Sequence, residues 1–564
     1  MSANPWIRNP GPKAPVTGLK AAVSTDSAIV TETMLQVLRE GGNAADAGVA
    51  GALVQAAVEP FMTNHTGTVT FLYYEAATGR RYQLDSAGTM PDGLAPFQPI
   101  PPQGHGYGAL PPSACIPGFM PGLKAIHERF GTRPWRQLCE PAVRWADSGH
   151  PVSTFEHGVH IFGQDFVTYF PEGRDFYMPG GYLTSVGDVF RPPGMAETLR
   201  KVADEGPDWM ITGGWADAFV AKANAMGWKI TKAHMTETPP RWIEPLAFPH
   251  HEYEVVSLAP PQMQGVFCAM VLGILRHLGI RDTRPGSAEH VFYMAHALRV
   301  ASYHRMFFHD PVVADYGVES LLDDGFHAHL ARLVRGMKPR IDLTRHVELT
   351  AGGGAAGMMG AAGKPSLDRL GGQSFSKQPT GSCELSIVDA QGNWVQMMNT
   401  LQSGGIPGMV VDGIPMVGAH AVFTGLGGFI DAKVVKGTRI SSVIGNTMVF
   451  KGGRPVLSLG SPGNVHCTVP QVLTYVLDHG LDPYAAADAP RMLPLAEDNS
   501  VTIEDRLAAD TIAQLKSWGT TVRAVPVYDH HMGSFAMCFI DPRTGQLGTT
   551  ADPRRCGVAD GIPL

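Results

Sequence analysis

The chain has 564 residues, of which 44% are apolar and 17% charged. That apolar share excludes a disordered polymer, and the length calls for several domains or one large layered core. A net charge of −7 without a basic run excludes a phosphate-tracking surface, and no uninterrupted apolar stretch is long enough for a membrane span.

Residues 1–15 carry Pro5, Pro10, Pro12 and Pro15 and no apolar centre. They do not read as a secretory signal, so the cytoplasm is the expected location. Asp26 to Pro60 reads as two helices. Asp26 or Ser27 is placed to cap the first, and Ile29, Val30, Met34, Val37 and Leu38 give it an apolar stripe that ends at Gly41-Gly42. The second, Ala44 to Val58, is rich in small residues and should pack closely on a sheet. Val69–Tyr74 and Tyr82–Asp85 form a predicted hairpin around Ala77-Thr78-Gly79.

Residues 110–345 read as mostly helical. Gly352–Gly363 is a Gly/Ala/Met stretch that reads as a loop. A phosphate cradle fails there on spacing, because Met358 stands where its first glycine belongs and Pro365 follows Lys364. Beyond it the chain turns β-rich. Leu385–Val388 and Trp394–Met397 flank one turn, Met448–Phe450 and Val456–Leu459 another, and one clear helix covers about Val469 to His479.

The seven cysteines are scattered without a C-x-x-C pair, which argues against a disulfide framework or zinc cage and for buried thiols. His250-His251 and His530-His531 are adjacent pairs whose side chains should diverge, with no carboxylate cluster to complete a site. No metal is expected at either.

The chemistry concentrates at Thr380-Gly381-Ser382-Cys383-Glu384, where a loop gives way to a buried strand. Attack of Ser382 on the Gly381 carbonyl, followed by hydrolysis, would make Ser382 a new chain start. Its α-amine, with an ordinary pKa near 8, could then serve as the base for its own hydroxyl. On residue chemistry alone the signal is weak, because a Gly-Ser before a strand is usually a simple turn.

Collinear segments sharpen that reading. Gly41-Gly42-Asn43-Ala44-Ala45-Asp46-Ala47, Val58-Glu59-Pro60, Leu84-Asp85-Ser86, Ile116-Pro117-Gly118 and Ala259-Pro260-Pro261 follow one order. So do Asp310-Pro311, Gly460-Ser461-Pro462-Gly463, Asp488-Ala489-Pro490-Arg491, Met532-Gly533-Ser534 and Ala551-Asp552-Pro553-Arg554. In this series the chain resembles the γ-glutamyltransferase family of N-terminal-nucleophile hydrolases from residue 20 onward. The resemblance implies an α+β fold, a four-layer αββα sandwich. It is one domain made of a large segment, 1–381, and a small segment, 382–564, cut between Gly381 and Ser382.

The resemblance also assigns roles. Ser382 takes the nucleophile's place, where the family pattern has threonine; Cys383 and Thr380 remain alternatives if the register shifts. Thr400 falls where a second threonine bonds the nucleophile. Gly463 and Asn464 match the turn whose backbone N–H groups form the oxyanion hole. Ser441-Ser442 match a pair that contacts the substrate carboxylate, a role that stays open beside a structural one.

The glutamyl-recognition groups are missing together. Ala87 replaces an arginine, Ala421-Val422 an Asp pair, and Gln402 an asparagine. A zwitterionic donor would leave its charges unpartnered in such a pocket. The expectation is therefore a hydrolase of a non-glutamyl amide, with Gln402 and His420 as specificity groups, close to the acylase branches. A true γ-glutamyltransferase and an unprocessed, silent binding protein are the alternatives. The expected partner is a small-molecule amide, with no nucleic acid, membrane, metal or organic cofactor. The two fragments should stay associated, and a dimer of processed units is open.

Overall fold

The computed structural model describes residues 4–14, 16–89, 98–99, 109–110, 116–168, 170–225, 230–304, 310–312, 315, 317–344, 382–400, 409–416, 437–439, 444–463, 465–494 and 499–564. The Gly352–Gly363 stretch lies outside them.

Thirteen strands build the main sheet: β1 (Val16–Thr25), β2 (Thr68–Glu75), β3 (Arg80–Ser86), β4 (Arg241–Ile243), β5 (Leu246–His250), β6 (Tyr253–Ser257), β7 (Cys383–Val388), β8 (Trp394–Thr400), β9 (Thr447–Lys451), β10 (Arg454–Gly460), β11 (Ala536–Ile540), β12 (Leu547–Ala551) and β13 (Val558–Pro563). Their order is β4-β3-β2-β8-β7-β1-β12-β11-β10-β9-β6-β5, with β13 also paired to β1. Every pairing is antiparallel.

β1 is the hinge of this sheet. Its Val16–Leu19 half pairs with β12 and its Ala22–Thr25 half pairs with β7. The halves on either side therefore fold face to face. Ser386 Oγ of β7 lies 2.7 Å from Ser458 Oγ of β10, and the Tyr74 and Phe450 rings meet edge to face at 5.5 Å.

Side-chain alternation decides what each face meets. Val69, Phe71, Leu385, Ile387, Val395 and Met397 join the core beneath helices α1 (Ala28–Arg39) and α2 (Ala44–Val58). Leu72, Tyr74, Val388, Trp394 and Met398, from the same strands, join Val449, Leu457, Met537 and Phe539 between the sheet halves. A third core gathers helices α3 (Gln264–Leu278), α4 (Ala288–His304) and α5 (Asp324–Met337) on the far side. The result is the expected four-layer αββα sandwich. Strands from before and after residue 382 interleave within it, so neither segment holds a complete sheet.

α2 packs as its composition predicts. Every residue is buried, and a Cβ on Gly51 would come within 2.9 Å of Met34. Asn43 Oδ1 accepts from Asp46 N while Asp46 Oδ2 accepts from Asn43 N, a complete capping box. The predicted cap of α1 is different. Ser27 holds the N-cap position without a side-chain bond, and Asp26 turns inward to an arginine.

The hairpins at 68–86, 383–400 and 447–460 form as predicted. The helix expected from Val469 begins at Val465 and ends in a π turn over Thr474–Asp478. Two further helices, Pro483–Asp488 and Ala509–Ser517, were not anticipated in this β-rich third. All six described cysteines are buried and free. Among the described residues, no helix is long and apolar enough to cross a membrane.

The histidine pairs correct the sequence reading. His250 Nε2 and His251 Nε2 each lie 2.9 Å from a different oxygen of Asp478. His251 adopts φ 55°, which breaks strand alternation and lets neighbouring rings converge on one carboxylate. His531 Nδ1 lies 2.8 Å from Asp529 Oδ1.

Candidate active site

Ser382 stands one residue ahead of β7, whose first ladder pair is Cys383 with Asn399. That register sets Ser382 opposite Thr400, the last residue of β8. The Ser382 hydroxyl donates to Thr400 Oγ1 at 2.9 Å. Thr400 is 1% exposed, and its carbonyl packs so closely on Gly67 that a Cβ there would overlap it. The threonine is thus fixed by backbone contact on the side away from Ser382.

Strand alternation sends Cys383 the other way. Its thiol lies 3.7 Å from Glu59 Oε2, and burial, followed by the nearby Glu59 and Asp26 charges, pushes it well above the usual thiol range. A thiolate there is strongly disfavoured, so the geometry speaks against Cys383 as a nucleophile. Thr380, Gly381, Gln402, His420, Ser441, Ser442 and Asn464 lie outside the described residues.

Gly463 follows β10 at φ 87°, a left-handed conformation that suits glycine. The end of β10, just ahead of this turn, is tightly packed. A Cβ on Gly460 would overlap the Glu384 carboxyl and the Gln396 amide. Gln396 Nε2 donates to Glu384 Oε1 at 2.6 Å, and burial raises the Glu384 carboxyl well above its ordinary range, favouring the protonated form.

Four groups given no role at the site by the sequence lie around Ser382 and Cys383, directly or through one another. Arg555 Nη1 donates to the Ser382 carbonyl at 3.0 Å and to Asp26 Oδ2 at 3.1 Å. Asp26 Oδ1 accepts from Ser534 Oγ at 3.0 Å. Burial raises the Asp26 carboxyl, and Arg555 opposes that rise. Glu59, at the end of α2, is pushed up to about 7, first by burial and then by the Asp26 charge. Glu59 and Ser534 sit in segments that the family resemblance picks out, but nothing local indicates their partners.

Around Ala87 the charges are already matched. Arg241 Nη2 lies 3.3 Å from Asp85 and 3.2 Å from Asp310, and Arg439 Nε lies 3.7 Å from Asp85. Arg439 also donates to the Ala87 carbonyl at 3.3 Å. Two guanidinium groups thus face two buried carboxylates, and Ala87 itself is 1% exposed.

Comparison with known proteins fits this geometry. The profile of the family described as gamma-glutamyltranspeptidase matches residues 30–562. The chain is 24% identical over 572 residues to the glutathione hydrolase proenzyme of Bacillus subtilis (strain 168), covering 97% of this chain and 92% of the relative. It is 24% identical over 575 residues to the acylase ACY 1 proenzyme of Pseudomonas sp. (strain V22), covering 98% and 94%. The crystal structure of cephalosporin acylase from Bacillus halodurans superposes with a TM-score of 0.80 at 22% identity, over 100% of this chain and 99% of that one. Fold and relatives together define a hydrolase of amide C–N bonds built on the N-terminal-nucleophile sandwich. The chain belongs to the gamma-glutamyltranspeptidase family.

Proposed function

We propose that this protein cuts itself between Gly381 and Ser382 and then hydrolyses a non-glutamyl amide through an ester on Ser382. The observation that carries the reading is the Ser382 hydroxyl, bonded to buried Thr400 at the open start of β7. In the first reaction Ser382 Oγ attacks the Gly381 carbonyl carbon. The C–N bond breaks as the ester forms, and the proton that leaves Oγ passes to the nitrogen, which is released as a free amine. Water then splits the ester, leaving a carboxylate on Gly381. In turnover the Ser382 amine takes the hydroxyl proton as Oγ attacks the substrate carbonyl, and that proton leaves with the departing amine. The backbone N–H groups at Gly463 and Asn464 are the proposed donors to the transient oxyanion. The relatives' names as proenzymes support self-processing.

The substrate half of the proposal rests on Ala87. A glutamyl donor brings a carboxylate and an ammonium, and the arginines beside Ala87 are already paired with Asp85 and Asp310. Recruiting Arg241 would take a cation from buried Asp310, and recruiting Arg439 would take one of two cations from buried Asp85, both unfavourable. An acyl group without that charged pair fits better, with Gln402, His420, Ser441 and Ser442 as the proposed contacts.

Intact-mass analysis of purified protein should give segments of 381 and 183 residues, the latter beginning at Ser382. Ser382→Ala should stay whole and inactive. Activity in a chain that never divides there would sink the mechanism. A second reading, a true γ-glutamyltransferase, is favoured by the relatives named glutathione hydrolase. Turnover of a γ-glutamyl anilide, accelerated by glycylglycine, would establish it, and inert behaviour toward both would remove it.

A further inference from the structure

We infer that Arg555, Asp26 and Ser534 form a positioning relay that fixes the main chain of Ser382 relative to the Pro462–Gly463 turn. The inference rests on the reading of Ser382 as nucleophile.

The relay is continuous. The Ser382 carbonyl accepts from Arg555 Nη1 at 3.0 Å, and the same nitrogen donates to Asp26 Oδ2 at 3.1 Å. The other oxygen of Asp26 accepts from Ser534 Oγ at 3.0 Å, and Ser534 N donates to the Pro462 carbonyl at 3.3 Å. Five chain segments meet in it: the start of β7, the residues before β13, the β1–α1 junction, the residues before β11, and the turn after β10. Arg555, Asp26 and Ser534 are 1%, 5% and 0% exposed.

Ser382 needs such a tether. It lies outside the β7–β8 ladder, which begins at Cys383. After the cut it loses its covalent hold on the N-terminal side, and a free chain end frays unless something ties it down. The Arg555 bond to its carbonyl acts one residue beyond the last ladder pair. The guanidinium plane is itself held, 5.0 Å over the Phe155 ring and against the Asp26 carboxylate. The two N–H bonds of Nη1 serve both partners from one fixed guanidinium plane, whereas a lysine ammonium rotates on a flexible stem. The far end of the relay sets the height of the Pro462–Gly463 turn, so nucleophile and turn are located against one ion pair. Misplacement of reacting groups by about 1 Å slows reactions by about a hundredfold.

The relay can be tested without knowing the substrate. Two rates are followed by intact mass: division at Gly381–Ser382, and labelling of the cut enzyme at Ser382 by phenylmethanesulfonyl fluoride. In the labelling, Oγ attacks sulfur, fluoride departs, and the hydroxyl proton passes to the α-amine. Arg555→Lys and Ser534→Ala should each slow labelling by about 10- to 100-fold with a near-native melting temperature. Ser534→Thr, which keeps the hydroxyl, should recover most of the rate. Ser534→Ala leaves the Arg555–Asp26 pair in place, so it carries the test if Arg555→Lys fails to fold. Wild-type labelling at Ser382 with unchanged rates in both variants overturns the relay alone. Slowing in Ser534→Ala that Ser534→Thr does not reverse also overturns it. A wild-type enzyme that is never labelled at Ser382 overturns the nucleophile assignment and the relay with it.

Discussion

Glu59→Gln offers a quantitative test of the electrostatics around Cys383, next to Ser382. Glu59 is 8% exposed and accepts from Gln55 Nε2 at 2.9 Å, with the Cys383 thiol at 3.7 Å. Burial first, and then the Asp26 charge, push its carboxyl from 4.5 to about 7. At about 1.4 kcal/mol per pH unit, that gap is worth about 3 kcal/mol. The folded chain holds this proton more tightly than the unfolded chain. Below about 4.5 both states are protonated and no cost arises; as pH rises to about 7 the unfolded chain ionises first, and folding stability falls. Above that pH the whole cost is present. Glutamine keeps an acceptor for Gln55 and carries no charge at any pH. Its stability advantage over wild type should therefore grow by about 2 kcal/mol between roughly pH 5 and pH 8. Urea unfolding in the Ser382→Ala background, expected to remain one chain, gives the comparison directly. An advantage that does not change with pH would show that Glu59 ionises normally and refute the burial argument.

Thr400→Val removes the partner of the Ser382 hydroxyl while keeping the side chain's shape. Self-cutting should slow by about 10- to 100-fold, followed by intact mass over time. Gly460→Ala places a methyl against Glu384 and Gln396; a stability loss of about 1–3 kcal/mol should appear in chemical denaturation. Asp552→Ala strips a carboxylate from buried Arg491 and Arg554, at 2.9 and 3.2 Å. A loss of about 3–5 kcal/mol is expected, seen as a large drop in melting temperature. Prolonged chelator treatment should leave sulfonyl fluoride labelling of Ser382 unchanged, and a loss restored by added metal would contradict the proposed cofactor-free mechanism.

The hairpin that Ser382 leads into was readable because its two strands are neighbours in sequence. Asp389 closes its turn by accepting from Gln391 N and Asn393 N, each at 2.9 Å, and register alone then sets Ser382 opposite Thr400. The small-residue helix at Ala44–Val58 was readable for a similar reason, since its cap and composition are local. Asp26 was misread for the opposite reason. A carboxylate just before a helix has a local use as a cap, and only the arrival of Arg555, 529 residues away, draws it inward. His250 and His251 were misread because alternation predicts divergence, while a left-handed turn and a carboxylate 227 residues away bring them together.

By itself, the sequence determined the periodic elements and the family and singled out Ser382 as the candidate nucleophile, because each is written in short-range pattern or in collinear motifs. The tertiary structure alone decided which buried charges face one another: Arg555 with Asp26, Glu59 beside Cys383, and the arginines around Asp85 with their carboxylates. The strength of those pairings depends on desolvation and on distances of about 3 Å between segments far apart in the chain, and no local pattern encodes either quantity.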